Sequence, residues 1–380
     1  MLTGIYLHLP FCVSRCTYCD FSTVPYDAQA QERYLTTLEQ EIRRWPEQPY
    51  SDRPTVIDTV FFGGGTPSLA PASGIASLLA LLREKFRWQF GAEVTLEMNP
   101  SSADAGRAAG YLAAGVNRIS LGFQSFSDDE LAAIGRAHRA REAVEALRLL
   151  RQVGFDNISL DLILGLPGQT LERWRRSLQW AATLEPEHIS IYILEVHHST
   201  ALYQELAARR ANLPGEEMIE EGYLEMIAQL EQFGYRQYEI SNFARPGRES
   251  RHNLKYWSDQ PYLGFGMSAH SYLHPYRFSN VRKLADYERG IWSEGHARAE
   301  VRELGEREHV EEALFLGLRR TGGIAVEDFQ RRFGLNILEQ YAVRLEKYRG
   351  AGLLDWNPQR LRLTERGFLL SNEIFQEFLS

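Results

Sequence analysis

Three residues able to bind metal stand together near the start of the chain. Cys12, Cys16 and Cys19 fall within eight positions in FCVSRCTYCDF, and no other cysteine occurs in 380 residues. A C-x3-C-x2-C run brings three thiolates onto one loop, where they can ligate three irons of a cubane cluster. The fourth iron is then left to a small chelator that offers an amino and a carboxylate group. A closed electron-transfer cluster would need a fourth donor from the chain. The alternative is a zinc tetrahedron of the three cysteines and His8, although zinc sites more often pair C-x2-C elements. Three cysteines cannot pair off completely as disulfides, and their clustering fits metal binding in a reducing compartment.

The elements that must hold this loop can be read from the pattern around it. Short apolar or β-branched runs (GIYLHL, VIDTVFF, EVTLEM, NRISLGF, NISLDLILG and HISIYIL) alternate with amphipathic stretches such as residues 28–45 and 170–184. This is the βα rhythm of a parallel sheet. Six units predict a partial (β/α)6 barrel of the TIM type, with its chemistry at the C-terminal ends of the strands. The cysteines follow the first strand. Gly63, Gly64, Gly65 and Thr66 follow the second, Glu97 closes the third, Gln124 follows the fourth, and Asp161 interrupts the apolar fifth. Carboxylates buried at such positions need partners, and a ligand would supply them.

The chain divides into an expected barrel core over residues 1–200, a cover over 201–300 and a C-terminal unit over 301–380. The cover carries an irregular aromatic stretch, RHNLKYWSDQPYLGFGMSAHSY. The C-terminal unit reads as helices with a hairpin about Asn357-Pro358, a small helical domain of winged-helix type. Residues 300–380 hold 12 Lys/Arg and 14 Asp/Glu, and the whole chain has a formal charge of -8. That balance argues against nucleic acid as a partner and for packing or protein contact as this unit's role. MLTGIYLHLP has neither the basic region nor the cleavage site of a signal peptide, and no apolar run reaches the length of a membrane span. The expectation is a cytoplasmic protein, its oligomeric state open.

Cys12, Cys16 and Cys19 after the first strand, with Gly63-Gly64-Gly65-Thr66-Pro67 after the second, resemble the radical S-adenosylmethionine superfamily. The resemblance implies that the cysteines hold a [4Fe-4S] cluster, that S-adenosylmethionine chelates the open iron, and that the glycines let the main chain approach its amino group. It extends over nearly the whole chain to the oxygen-independent coproporphyrinogen III oxidase family. The matching positions are Tyr6 and His8 in IYLHLPFC, Gly64, Gly65, Thr66, Glu97 in LEMNP, Gln124 in GFQSF, Arg136, and Asp161 in DLILGLPGQT. These are implied contacts to S-adenosylmethionine. A zwitterion with a ribose diol suits carboxylates, amides and a guanidinium in a largely dry pocket.

Two departures matter. The decarboxylating members carry one more cysteine two positions after the third, where this chain has Phe21, and they have an arm ahead of the first strand that is expected to be missing here. Both features resemble the haem-chaperone branch of the family, with Asp20-Phe21 after the last cysteine and an H-N-x-x-Y-W run at residues 252–257. The branch implies haem as cargo and haem-acceptor proteins as partners. His252 is the expected iron ligand with Tyr256 and Trp257 on the porphyrin face, and His270 is the rival ligand. The competing reading is a radical enzyme acting on coproporphyrinogen III or another porphyrin.

Overall fold

The structure is a computed structural model, and it describes residues 2–45 and 56–378. The six expected strands form: β1 (Leu2–Leu9), β2 (Val56–Gly64), β3 (Arg87–Met98), β4 (Arg118–Gln124), β5 (Ile158–Leu164) and β6 (His188–Ile193). They pair in parallel and in sequence order. The crossovers carry α1 (Ala28–Arg44), α2 (Ala72–Lys85), α3 (Ala105–Ala114), α4 (Ala140–Val153) and α5 (Leu171–Thr183).

Strand periodicity assigns the two faces. Ile5, Leu7 and Leu9 of β1 are buried in the main apolar core. Side chains on a strand alternate between faces, so Gly4, Tyr6 and His8 point the other way, into the barrel. Helix starts are set by polar caps: the Asp27 carboxylate accepts from the Ala30 N–H, Asp104 from Arg107, and the Thr170 hydroxyl from Arg173.

Residues 201–300 close the barrel partly by adding strands at both edges. After α6 (Glu216–Gln232) come β7 (Arg236–Glu239) and β8 (Asn242–Ala244), a hairpin that continues the sheet antiparallel beyond β6. Then α7 (Arg251–Trp257) crosses the floor of the barrel, the end opposite the cysteine loop. Next β9 (Tyr262–Phe265) lies parallel to β1 on its free edge, and β10 (His270–Leu273), β11 (Tyr276–Asn280) and β12 (Arg298–Glu303) extend that edge antiparallel. A twelve-stranded sheet results. Only four residues make β9, so a seventh parallel strand is hard to recognise in a stretch that reads as irregular. Against this edge α8 (Leu284–Glu294) meets α1, where the Tyr287 hydroxyl donates to Glu41 at 2.8 Å.

The C-terminal unit holds α9 (Glu306–Leu318), β13 (Ile324–Ala325), α10 (Val326–Phe333), α11 (Ile337–Gly350), β14 (Leu354–Trp356) and β15 (Arg360–Leu363). The last two strands form the hairpin expected about Asn357-Pro358, and β13 completes a three-stranded antiparallel sheet. Leu314, Leu318, Phe329 and Leu361 belong to the same continuous apolar cluster as Ile5 and Leu7. Among the described residues no helix is long and apolar enough to cross a membrane.

Candidate functional site at the barrel mouth

The cysteine loop is tied at both ends. Phe11 and Cys12 pair in parallel with Val24 and Pro25, and the Tyr26 N–H donates to the Cys12 carbonyl at 2.9 Å. Between the ends, the Thr17 N–H donates to the Ile134 carbonyl, the Leu202 N–H to the Thr17 carbonyl, and Arg15 to the Cys19 carbonyl at 2.9 Å. The loop is therefore shaped by the chain itself. Its three thiols are free and partly buried. Burial pushes the Cys12 and Cys19 thiols upward, and the neighbouring cysteines add to the shift. Three sulfurs whose anionic forms repel one another are a donor set suited to a cationic centre.

His8 does not fit the zinc alternative. Its Nδ1 is 3.0 Å from the Tyr6 hydroxyl and its Nε2 2.8 Å from the Ser22 carbonyl, so both ring nitrogens are engaged. Among the described residues no three His, Cys, Asp or Glu side chains converge on a one-ion geometry. What His8 does is pack beneath the glycine turn.

At that turn two glycines are required by space. A Cβ on Gly64, whose φ is +114°, would lie 2.6 Å from the His8 ring, and one on Gly65 would lie 2.6 Å from the Pro10 main chain. The Gly65 N–H donates to the Leu9 carbonyl and the Thr66 N–H to the Phe11 carbonyl, so the turn is laced to the end of β1. The Thr66 hydroxyl reaches 3.5 Å from the Cys12 sulfur.

The mouth carries two half-buried carboxyls. Glu97 accepts from the Gly64 N–H at 3.2 Å; burial first and the Asp161 charge second push its carboxyl up to about 8. Asp161 accepts from Ser120 at 3.0 Å and from Ser159 at 3.2 Å, and burial raises it too. A pair of carboxyls partly withdrawn from water and feeling each other favours a cationic ligand between them. Gln124 caps β4 with φ of +66°, an uncommon conformation for a side chain of its size. Arg136 donates to the Gly122 carbonyl at 2.7 Å and lies 3.6 Å from the Cys16 sulfur, while its Nε is buried with no partner. Tyr6 lies half-buried beneath, close enough to Glu97 to feel its charge. The structure thus gathers the sequence-derived positions Tyr6, His8, Gly64, Gly65, Thr66, Glu97, Gln124, Arg136 and Asp161 at one end of the barrel, around the cysteine loop.

Tyr192 belongs with them and escaped the sequence reading. It stands at the C-terminal end of β6 with about half of its surface open to solvent (47%), and its hydroxyl is held above its usual range by desolvation against the barrel and by the charges of Asp161, Glu239 and Glu97. The available signal was its place, two residues before the end of the sixth apolar run.

The expected haem trio lies elsewhere. His252 is 1% exposed at the barrel floor; its Nδ1 is 2.8 Å from the Thr59 hydroxyl, its Nε2 is 2.9 Å from the Tyr256 hydroxyl, and its ring stacks on Phe61. Burial first, then the charges of Lys255 and Arg118, push its imidazole down to about 3. Tyr256 packs edge-on against Tyr262, and Trp257 lies under the Arg319 guanidinium of the C-terminal unit at 4.4 Å. All three are engaged in floor packing. The Glu93 carboxylate accepts the Arg251 and His252 N–H groups and so anchors the first turn of α7. His270, by contrast, is exposed at the start of β10.

Comparison with known proteins places this geometry in context. The model of the radical SAM superfamily matches residues 6–181, and that of the HemN C-terminal domain matches residues 304–370. The chain is 37% identical over its full length to a Bacillus subtilis protein named heme chaperone HemW, covering 99% of it. It is 36% identical to the Mycobacterium tuberculosis protein of the same name, over 99% of this chain and 94% of that one. The mitochondrial radical S-adenosyl methionine domain-containing protein 1 of Bos taurus is 34% identical, over 99% of this chain and 87% of that one. Among solved structures, coproporphyrinogen III oxidase (HemN) of Escherichia coli superposes with a TM-score of 0.85 at 26% identity, over 99% of this chain and 89% of that one.

Proposed function

The chain belongs to the HemW family of the radical SAM superfamily, and from that membership we propose that it is a haem chaperone that binds haem and passes it to acceptor haem proteins. The observation that carries the reading is the cysteine loop. Three free thiols crowd one rim of a barrel mouth that holds two half-buried carboxyls, both raised by desolvation, and the chain has no fourth cysteine.

In this reading Cys12, Cys16 and Cys19 hold a [4Fe-4S] cluster. S-adenosylmethionine sits in the mouth, contacted by the main chain of Gly64, Gly65 and Thr66 and by Glu97, Gln124, Arg136 and Asp161, with Tyr6 and His8 supporting the floor of its site. When bound, the pair supplies the means for reductive cleavage of a carbon–sulfur bond. The chain's own part is to place charge and exclude water. Arg136 holds a cation beside the Cys16 sulfur, Glu97 and Asp161 offer anionic acceptors to an ammonium and a ribose, and Tyr6 and Phe61 keep the space beneath apolar.

Between the two histidines singled out as haem ligands, the fold favours His270. His252 would reach iron only after losing both Thr59 and Tyr256, whereas His270 is exposed on the sheet edge that runs toward the cysteine loop. The reading further places the protein in the cytoplasm, where thiols stay reduced, with no nucleic-acid partner. A radical enzyme acting on a porphyrin is the second reading, favoured by the superposition on coproporphyrinogen III oxidase.

The test is anaerobic cluster reconstitution followed by parallel assays of haem binding, haem transfer to an apo-haem protein, 5′-deoxyadenosine formation and coproporphyrinogen decarboxylation. The expected result is one haem per chain, transferable, with no decarboxylation. Efficient decarboxylation would overturn the carrier reading in favour of the enzyme.

A further inference from the structure

Beside the cysteine loop lies a cleft of ≈ 460 Å³. Its walls come mainly from two distant parts of the chain, with Ser199 from a third: Arg15, Phe21 and neighbouring residues of the cysteine loop, and Met267, Arg282, Lys283 and Leu284 from the edge strands and the start of α8. The Arg282 Nε lies 3.4 Å from the Ser22 hydroxyl, which brings the two parts together.

The charge of this cleft runs against that of the molecule. The chain carries -8 overall, yet three cations converge here. Among the described residues none of the three side chains sits in an ion pair: Arg15 spends its guanidinium on the Cys19 and Phe21 carbonyls, the Arg282 guanidinium reaches the Ser22 hydroxyl, and Lys283 bonds only through its carbonyl, which accepts the Asp286 and Tyr287 N–H groups. The one acid in the lining, Asp20, is engaged by His197 at 3.5 Å. Between the cations Phe21 stands 62% exposed, over a wall that includes buried Met267. A large aromatic ring left in water next to cations without an acidic partner is a surface feature that a ligand with apolar and anionic parts would cover.

We propose that this cleft is the haem-docking site, with Arg282, Lys283 and Arg15 taking the two propionates and Phe21 lying against the macrocycle. The inference rests on the carrier reading and gives it a location. A flat apolar ring with two carboxylates on one edge matches a cleft that offers an aromatic face beside guanidinium and ammonium groups. The site also explains a floor histidine with no free nitrogen, because cargo docks at the opposite end. His270 falls within the field of the same rim: after burial, the Arg282 charge is the next cause holding its imidazole in the neutral form that ligates iron.

The experiment uses the cluster-reconstituted full chain and titrates it with haem and with haem dimethyl ester, whose propionates are masked. Wild-type protein should bind haem at least about tenfold more tightly than the ester, as expected for loss of charge-assisted contacts. The R282E/K283E variant should lose about tenfold or more in haem affinity, leave ester affinity unchanged, and keep the iron–sulfur absorbance and melting temperature of the wild type. Phe21→Ala should weaken haem and ester alike. If wild-type protein binds no haem, the carrier reading fails and this proposal with it. If it binds haem but does not discriminate against the ester, or the charge-reversed variant binds normally, the cleft assignment alone is wrong. Normal haem affinity with lost transfer to an apo-haem protein would make the cleft a contact for that protein and would likewise overturn the proposal.

Discussion

Arg136 places one guanidinium nitrogen 3.6 Å from the Cys16 sulfur and another 2.7 Å from the Gly122 carbonyl, so a single cation joins the cysteine loop to the end of β4. Replacing it by Gln keeps polarity but removes the charge beside the sulfur. Arg136→Gln should reconstitute a cluster that loses iron to a chelator several-fold faster than wild type, with the melting temperature little changed. Equal rates of iron loss would show that the guanidinium is only a loop brace.

The glycine turn gives a steric prediction. Gly65→Ala would drive a methyl to within 2.6 Å of the Pro10 main chain, which cannot turn aside as a flexible side chain could. Overpacking of this kind costs about 1–3 kcal/mol. Because Pro10 leads into Cys12, the variant should also reconstitute less iron per chain, measured by iron and sulfide content. Full iron loading at wild-type stability would contradict the packing described here.

Glu97 predicts a pH dependence. Its carboxyl is pushed up to about 8 from an ordinary value of 4.5, so the folded state holds this proton more tightly than the unfolded state. Stability from this group is full below pH 4.5 and is lost as pH rises toward 8, by an amount on the order of a few kcal/mol. Urea unfolding at pH 5.5 and pH 8 should show the fall in wild type and a smaller one in Glu97→Gln. S-adenosylmethionine should reduce the slope in wild type by favouring the carboxylate. Identical slopes in wild type and Glu97→Gln would rule out the buried proton.

The two histidines separate stability from haem chemistry. His252→Ala empties a packed site and leaves Thr59 and Tyr256 without their partner, costing about 2–4 kcal/mol. His252 is buried neutral and pushed down to about 3, so the stability it supports is present above the unfolded value of 6.5 and is lost as pH falls below it. His270→Ala should leave unfolding unchanged and alter the haem absorption spectrum. A haem spectrum altered by His252→Ala at unchanged stability would return the ligand to the floor.

Beneath the barrel, Lys255 and Asp58 form an ion pair at 2.7 Å, both nearly excluded from solvent. Removing one partner strands the other, which for buried pairs costs about 3–5 kcal/mol. The 3.9 Å approach of Arg251 to Asp58 should hold the loss toward the lower end. Lys255→Met alone should therefore be clearly destabilising, and D58N/K255M should recover much of the loss in chemical denaturation. No recovery in the double variant would mean that the lysine acts through its packed stem.

The sequence by itself determined what depends on local spacing. Three cysteines in eight residues compel a shared loop, and six apolar runs separated by helical stretches compel a parallel sheet with loops at one end, so the mouth residues could be named from strand ends. Tertiary structure decided what depends on which distant segments meet. No local pattern tells Tyr262–Phe265 to pair with a strand more than 250 residues earlier, and without that pairing α7 has no reason to cross the floor. His252 follows from this: in the sequence it is a histidine beside aromatics and reads as a haem ligand, but once Glu93 holds the start of α7, Thr59 and Tyr256 take both its nitrogens. The cleft beside the cysteine loop is equally non-local. Phe21 and Arg282 are 261 positions apart in the chain, and only the sheet edge that carries β10 and β11 back toward the first loop puts an exposed ring beside unpaired cations.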